Sequence, residues 1–87
     1  MTDLKAHIPD MDISSLRLHP GSPLVGKTLA EADLRKKYAV TILAIRRDGG
    51  MHPNPEAGMV LEGGDLLVVM GKPDRITQAA AECETCR

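Results

Sequence analysis

The chain nearly lacks aromatic residues: Tyr38 is the only one, with no tryptophan or phenylalanine among 87 positions. One tyrosine cannot form the stacked platform on which single-stranded nucleic acid is read, and it leaves the core to Leu, Val, Ile, Met and Ala. An excess of one charge is also missing. Eleven basic residues face twelve acidic ones, a net charge of −1, so no long-range field draws the chain to nucleic acid or to an anionic membrane surface. No apolar run approaches the ~20 residues of a membrane helix. The stretch from Met1 to Pro9 carries Asp3, Lys5 and His7 where a signal peptide would be apolar, so a cytoplasmic chain without membrane insertion is expected. Cysteine is scarce too. Cys83 and Cys86 stand too close together for a bridge between them to stabilise a fold by chain entropy, which excludes a secreted disulfide scaffold.

What is present is one small domain. A chain of this length buries only about 60 to 65% of the surface its unfolded form exposes. A second copy covering an apolar face is a common way to gain more. Met1 to Met11 has mixed polarity and no period, and reads as a leader or linker over 1–11. Ile13 to Leu18 partly alternates, with Leu16 and Leu18 on one face and Arg17 on the other, as in a half-buried strand. His19-Pro20-Gly21-Ser22-Pro23 turns the chain. Thr28-Leu29-Ala30-Glu31 is a capping box, and the helix it predicts runs to Tyr38. Arg35, Lys36 and Lys37 then form a solvated helix end that complements the macrodipole.

Val40 to Ile45 is β-branched and apolar on both sides. Strict alternation puts Val40, Ile42 and Ala44 on one face and Leu43 and Ile45 on the other. Asp48-Gly49-Gly50 is a hairpin signal, and Met51 to Asn54 returns as a short edge strand limited by Pro53. After the turn at Gly63-Gly64-Asp65, Leu66 to Met70 is a further doubly apolar strand. Pro73 opens a second helix through Ile76, Ala79 and Ala80. The order β-α-β-β-β-α predicts an α+β fold: a small, mainly antiparallel sheet carrying two helices. It spans residues 12–81, with 82–87 read as a disordered tail.

No catalytic set emerges. Ser14, Ser15 and Ser22 lack a glycine-flanked elbow, and no cysteine, histidine and acid form a recognisable arrangement, so the chain is read as a non-enzyme. His7, His19 and His52 share no ligand spacing. Gly63-Gly64-Asp65 precedes a strand, whereas phosphate loops follow a strand and open a helix. Cys83-x-x-Cys86 offers one alternative function: two such pairs meeting across a dimer complete a four-thiolate zinc site, or one pair cycles between dithiol and disulfide.

Four segments together resemble the C-terminal domain of the TrkA and RCK proteins, which regulate potassium channels, transporters and cation antiporters. They are Ser22 to Leu29, Leu34 to Arg47, Asn54-Pro55, and Leu61 to Gly71. The resemblance spans about Ile13 to Ala80. Ala39 departs from it, since a glycine often ends that helix, and so does the Cys83 to Cys86 tail. The nucleotide-binding half that usually precedes this domain has no counterpart in the chain, and no G-x-G-x-x-G follows a strand, so no NAD or ATP site is expected. The resemblance implies a homodimer working with a membrane cation transporter or channel subunit, as a separate subunit or as part of a longer protein. It also implies cyclic di-AMP as a regulatory ligand at the dimer interface, with no other cofactor. On that reading Ile42, Leu43 and Ile45 offer apolar surface to a purine, Arg46 or Arg47 binds phosphate, and the Asn54 amide bonds a base or phosphate.

Overall fold

A computed structural model describes residues 10–84. The expected leader over 1–11 therefore lies almost wholly outside the described residues, as does Cys86. Four strands form one sheet: β1 (Asp12–Arg17), β2 (Thr41–Arg47), β3 (Gly50–Pro53) and β4 (Leu66–Gly71), in the order β1-β4-β2-β3 with every pairing antiparallel. Three helices accompany them: α1 (Leu29–Ala32), α2 (Leu34–Tyr38) and α3 (Pro73–Glu84).

The capping box forms as the sequence predicts. The Glu31 amide donates to Thr28 Oγ1 at 3.1 Å, and the Thr28 amide donates to Glu31 Oε1 at 2.9 Å. The helix it starts does not run unbroken to Tyr38. Asp33 adopts the left-handed conformation, φ 46° and ψ 53°, ending α1 and capping α2. Aspartate tolerates that conformation and its carboxylate accepts from the Lys36 amide, so the break costs little. Ala39, in the glycine-like position at the end of α2, is also left-handed at φ 56°.

α3 also differs from expectation. It continues through Glu84, so residues 82–84 are helix where the sequence suggested tail. Ile76, Ala79 and Cys83 recur on one face of α3 and enter the core, a spacing that keeps apolar side chains on a single stripe.

All of the core lies on one side of the sheet. Leu16 and Leu18 from β1 and its exit, Ile45 from β2, and Leu67 and Val69 from β4 meet Leu34 of α2 and the buried stripe of α3. Each fully buried leucine or isoleucine contributes roughly 1.5 to 3 kcal/mol of transfer free energy. The opposite face is uncovered among the described residues. Leu66, Val68 and Met70 of β4 are only half-buried there, and Ile13 beside Met70 is 37% exposed. β4 is apolar on both faces as the sequence predicts, but α2 and α3 pack on the same face of the sheet, so the terminal helix does not cover the other.

Candidate ligand-binding site

β2 does not alternate simply. Thr41 and Ile42 pair with Met70 and Val69, but Ala44 pairs with Val68, leaving Leu43 as the extra residue of a β-bulge. The bulge brings Ile42 and Ile45 to the same, inner side and sends Ala44 outward. The candidate residues are divided accordingly. Ile45 has no exposed surface and is available to the core alone. Ile42 and Leu43 are half-buried, Arg46 lies on the outer face opposite Leu66, and Arg47 turns inward. Asn54, just past β3, is left-handed at φ 49°, and its amide donates to the Leu43 carbonyl at 2.8 Å, which ties it to the bulge.

Arg47 is already occupied. Its Nε donates to Asp65 Oδ1 at 2.8 Å, and its Nη2 donates to Asp65 Oδ2 at 2.6 Å and to the Val60 carbonyl at 2.8 Å. Glu62 adds an ion pair at 3.3 Å. The Asp65 side chain is 1% exposed. Burial alone pushes its carboxyl up, but the Arg47 hydrogen bonds, the Glu62 amide and the Arg47 charge outweigh that and hold it below the usual carboxylate range. A two-pronged guanidinium–carboxylate bond of this kind is geometrically demanding. It leaves Arg47 a structural tie between β2 and the start of β4, while Arg46 is exposed and has no ion pair among the described residues.

Residues 54–61 are laced to the start of α1. The Ala30 amide donates to the Ala57 carbonyl and the Leu29 amide to the Met59 carbonyl, each at 3.0 Å, and the Leu61 amide donates to the Lys27 carbonyl at 2.8 Å. Between this strap, the two short helices and the beginning of β2 runs a groove of about 280 Å³. Its apolar lining comes from Leu29, Leu34, Val40, Ile42, Pro55 and Ala57, and its polar groups from Asp33, Arg35, Thr41 and Asn54. Of the sequence candidates, the structure brings Ile42 and Asn54 together here; Leu43 touches the same backbone, and Arg46 lies apart. Asp33 and Arg35 were missed, because a residue in a helix turn carries no local mark of what a distant loop brings beside it.

Two other sequence features resolve as structure. Gly64 has φ 91°, and a Cβ on Gly63 would stand 2.8 Å from Pro20 Cα, so this turn needs glycine for conformation and for close approach. Cys83 is fully buried in the core. Burial, then the charges of Glu82 and Glu84, push its thiol up to about 12, so it stays protonated at neutral pH, a setting that disfavours a reactive thiolate. Nothing among the described residues supports the thiol and zinc alternative.

With sheet order, helices and groove in place, the class is a four-stranded α+β regulatory fold. The family model for the TrkA-C domain matches residues 13–83. The chain belongs to the TrkA-C domain family, whose members regulate and do not catalyse. It is 34% identical over 64 residues to the K(+)/H(+) antiporter subunit KhtT of Bacillus subtilis, which covers 72% of this chain and 39% of that protein. The chain thus spans about two fifths of that relative's length. The RCK C domain of the potassium transport protein KtrA, solved with cyclic di-AMP, superposes with a TM-score of 0.76 at 24% identity, covering 83% of this chain and 82% of that one. The RCK_C domain dimer of S. agalactiae BusR, also with cyclic di-AMP, gives 0.77 at 22% identity, covering 83% and 95%. At these identities the likeness is one of fold.

Proposed function

We propose that the chain is the ligand-sensing part of a potassium or other cation transport system, acting as a two-fold dimer. On this reading a cyclic dinucleotide of the cyclic di-AMP kind is held at the groove by Ile42 and Asn54, with Leu43 on the adjoining bulge. One observation carries the reading: Thr41 both lines the groove and pairs with Met70 on the uncovered sheet face. The groove therefore opens at the border of the apolar surface formed by Ile13, Leu66, Val68 and Met70, and a second copy seated on that surface stands beside the ligand. At about 280 Å³ the groove lies just below the ~300 to 1,000 Å³ of sites that enclose a drug-sized ligand. It accommodates one half of a dinucleotide and leaves the other half to the partner copy.

Regulation then follows from differential affinity. A ligand that touches both copies favours the dimer geometry in which both grooves face it, and an attached transporter responds to that geometry. The cyclic di-AMP complexes of the structurally similar KtrA and BusR domains support the choice of ligand class. The near-neutral charge favours a small ligand over DNA, although BusR itself is known in complex with its promotor DNA.

Titration calorimetry with cyclic di-AMP, together with sedimentation at micromolar concentration, tests the proposal. The expected result is a dimer that binds one ligand per two chains. A stable monomer that releases no heat with cyclic di-AMP would sink it.

A further inference from the structure

The groove holds a cation that the pattern of the sequence placed in solvent. Three arginines stand near the candidate site, and they differ in what they are free to do. Arg47 spends its guanidinium on Asp65, Glu62 and Val60. Arg46 belongs to the outer face, in register with Leu66 and Met51, and does not line the groove. Arg35 does line it, is exposed, and makes no ion pair or side-chain hydrogen bond among the described residues. Asp33 lines the same groove and is half-buried; its Oδ1 accepts from the Lys36 amide at 3.3 Å, and its Oδ2 has no hydrogen-bond partner among the described residues.

We infer that Arg35, and neither Arg46 nor Arg47, is the residue that meets the ligand's phosphate in this groove, while Asp33 selects a ring edge that bears an amino group. The inference rests on the ligand-sensing reading above and assigns its polar contacts. Asp33 sits at the left-handed cap of α2 and Arg35 within that helix, with no ion pair between them, so the two charges address different parts of one ligand. A phosphate beside Asp33 is repelled and one beside Arg35 gains a charge-assisted bond, which fixes the ligand's direction. The amino-bearing ring then lies among Leu34, Ile42 and Pro55, its donor toward Asp33. The Asn54 amide can pair with the two adjacent polar atoms of an adenine edge, as asparagine does in reading that base. An oxo group in place of the amino group faces the Asp33 carboxylate with a second acceptor and is rejected.

Calorimetry of the whole chain with cyclic di-AMP and with its inosine analogue, cyclic di-IMP, tests this. Arg35→Gln is expected to weaken cyclic di-AMP binding about 10- to 100-fold, the loss of one charge-assisted hydrogen bond, and to flatten its salt dependence. Arg46→Gln is expected to change binding less than about twofold. Asp33→Asn keeps a residue that caps helices and tolerates the left-handed conformation. It is expected to narrow the preference for cyclic di-AMP over cyclic di-IMP from about tenfold or more to about twofold or less. Tight binding that Arg46→Gln abolishes and Arg35→Gln leaves intact overturns the assignment while the sensing reading stands. Absence of binding of either probe by the unaltered chain overturns both.

Discussion

The two faces of the sheet are made from the same strands yet obey different rules. On the inner face Leu16, Ile45, Leu67 and Val69 are sealed beneath α2 and α3, and each side chain is held by close packing. On the outer face Leu66, Val68 and Met70 keep partial contact with water, between the exposed arginines Arg17 and Arg46 at one end and Ile13 and Thr41 at the other. Adjacent residues of one strand can therefore have unrelated roles. Arg46 and Arg47 show it most sharply: one is an exposed side chain beside Leu66, the other the centre of a buried ion pair. Stability resides in the inner face, and the outer one is the surface proposed for a second copy.

The largest expected effect separates those two arginines. Arg47→Met leaves Asp65 buried without its partner and should cost about 3 to 5 kcal/mol, whereas Arg46→Met should stay within about 0.5 kcal/mol; urea unfolding compares them directly. The same pair sets an acid response. Because folding lowers the Asp65 pKa, its stabilising contribution is complete above the ordinary carboxylate range and is lost as pH falls through the lowered folded value. Asp65→Asn should flatten the pH dependence of stability in that acidic window, and an unchanged slope would show that other carboxylates control it.

Next in size is the contrast within β4. Leu67→Ala on the inner face should destabilise by about 2 to 5 kcal/mol, transfer and cavity terms together. Val68→Lys, one residue away, should cost the folded chain less than about 1 kcal/mol yet shift sedimentation toward the monomer, since it places a charge in the apolar surface proposed for the second copy. If Val68→Lys unfolds the protein as readily as Leu67→Ala, the two faces are not distinct. The smallest effect is a gain. Ala39 holds φ 56°, a conformation that costs an L-residue roughly 1 to 2 kcal/mol, so Ala39→Gly should raise the unfolding free energy by about 1 kcal/mol. A loss of stability would mean that the added freedom of glycine in the unfolded chain dominates.

Much of the fold was legible because its signals are local. The capping box at Thr28, the turn residues from Asp48 to Gly50 and the Pro73 helix start each predict the element found. The positions read wrongly share a physical cause. Asp33 continues a helical pattern by composition, and only its left-handed backbone breaks it. Ile42 to Ile45 is apolar at every position, so an inserted bulge leaves no trace in polarity and alternation assigns Ile42 and Ile45 to the wrong sides of each other. The Arg47 to Asp65 tie joins strands through the tertiary fold, and the groove draws on three separate segments. Of the candidate site, the chemistry of Asn54 and Ile42 could be read from the sequence and the resemblance it carries, but the engagement of Arg47 and the placement of Arg35 could not.

The bulge at Leu43 also uncouples the length of β2 from the direction its residues face. Ile42 already points inward opposite Val69, and Ala44 already points outward opposite Val68, its neighbour on β4. Excising Leu43 would join two stretches whose alternation is in phase, giving a regular ladder with Arg46 still outside and Arg47 still beside Asp65. This strand is therefore a joint at which a one-residue deletion leaves both surfaces of the sheet in place, where the same deletion in β4 would turn one end of it inside out.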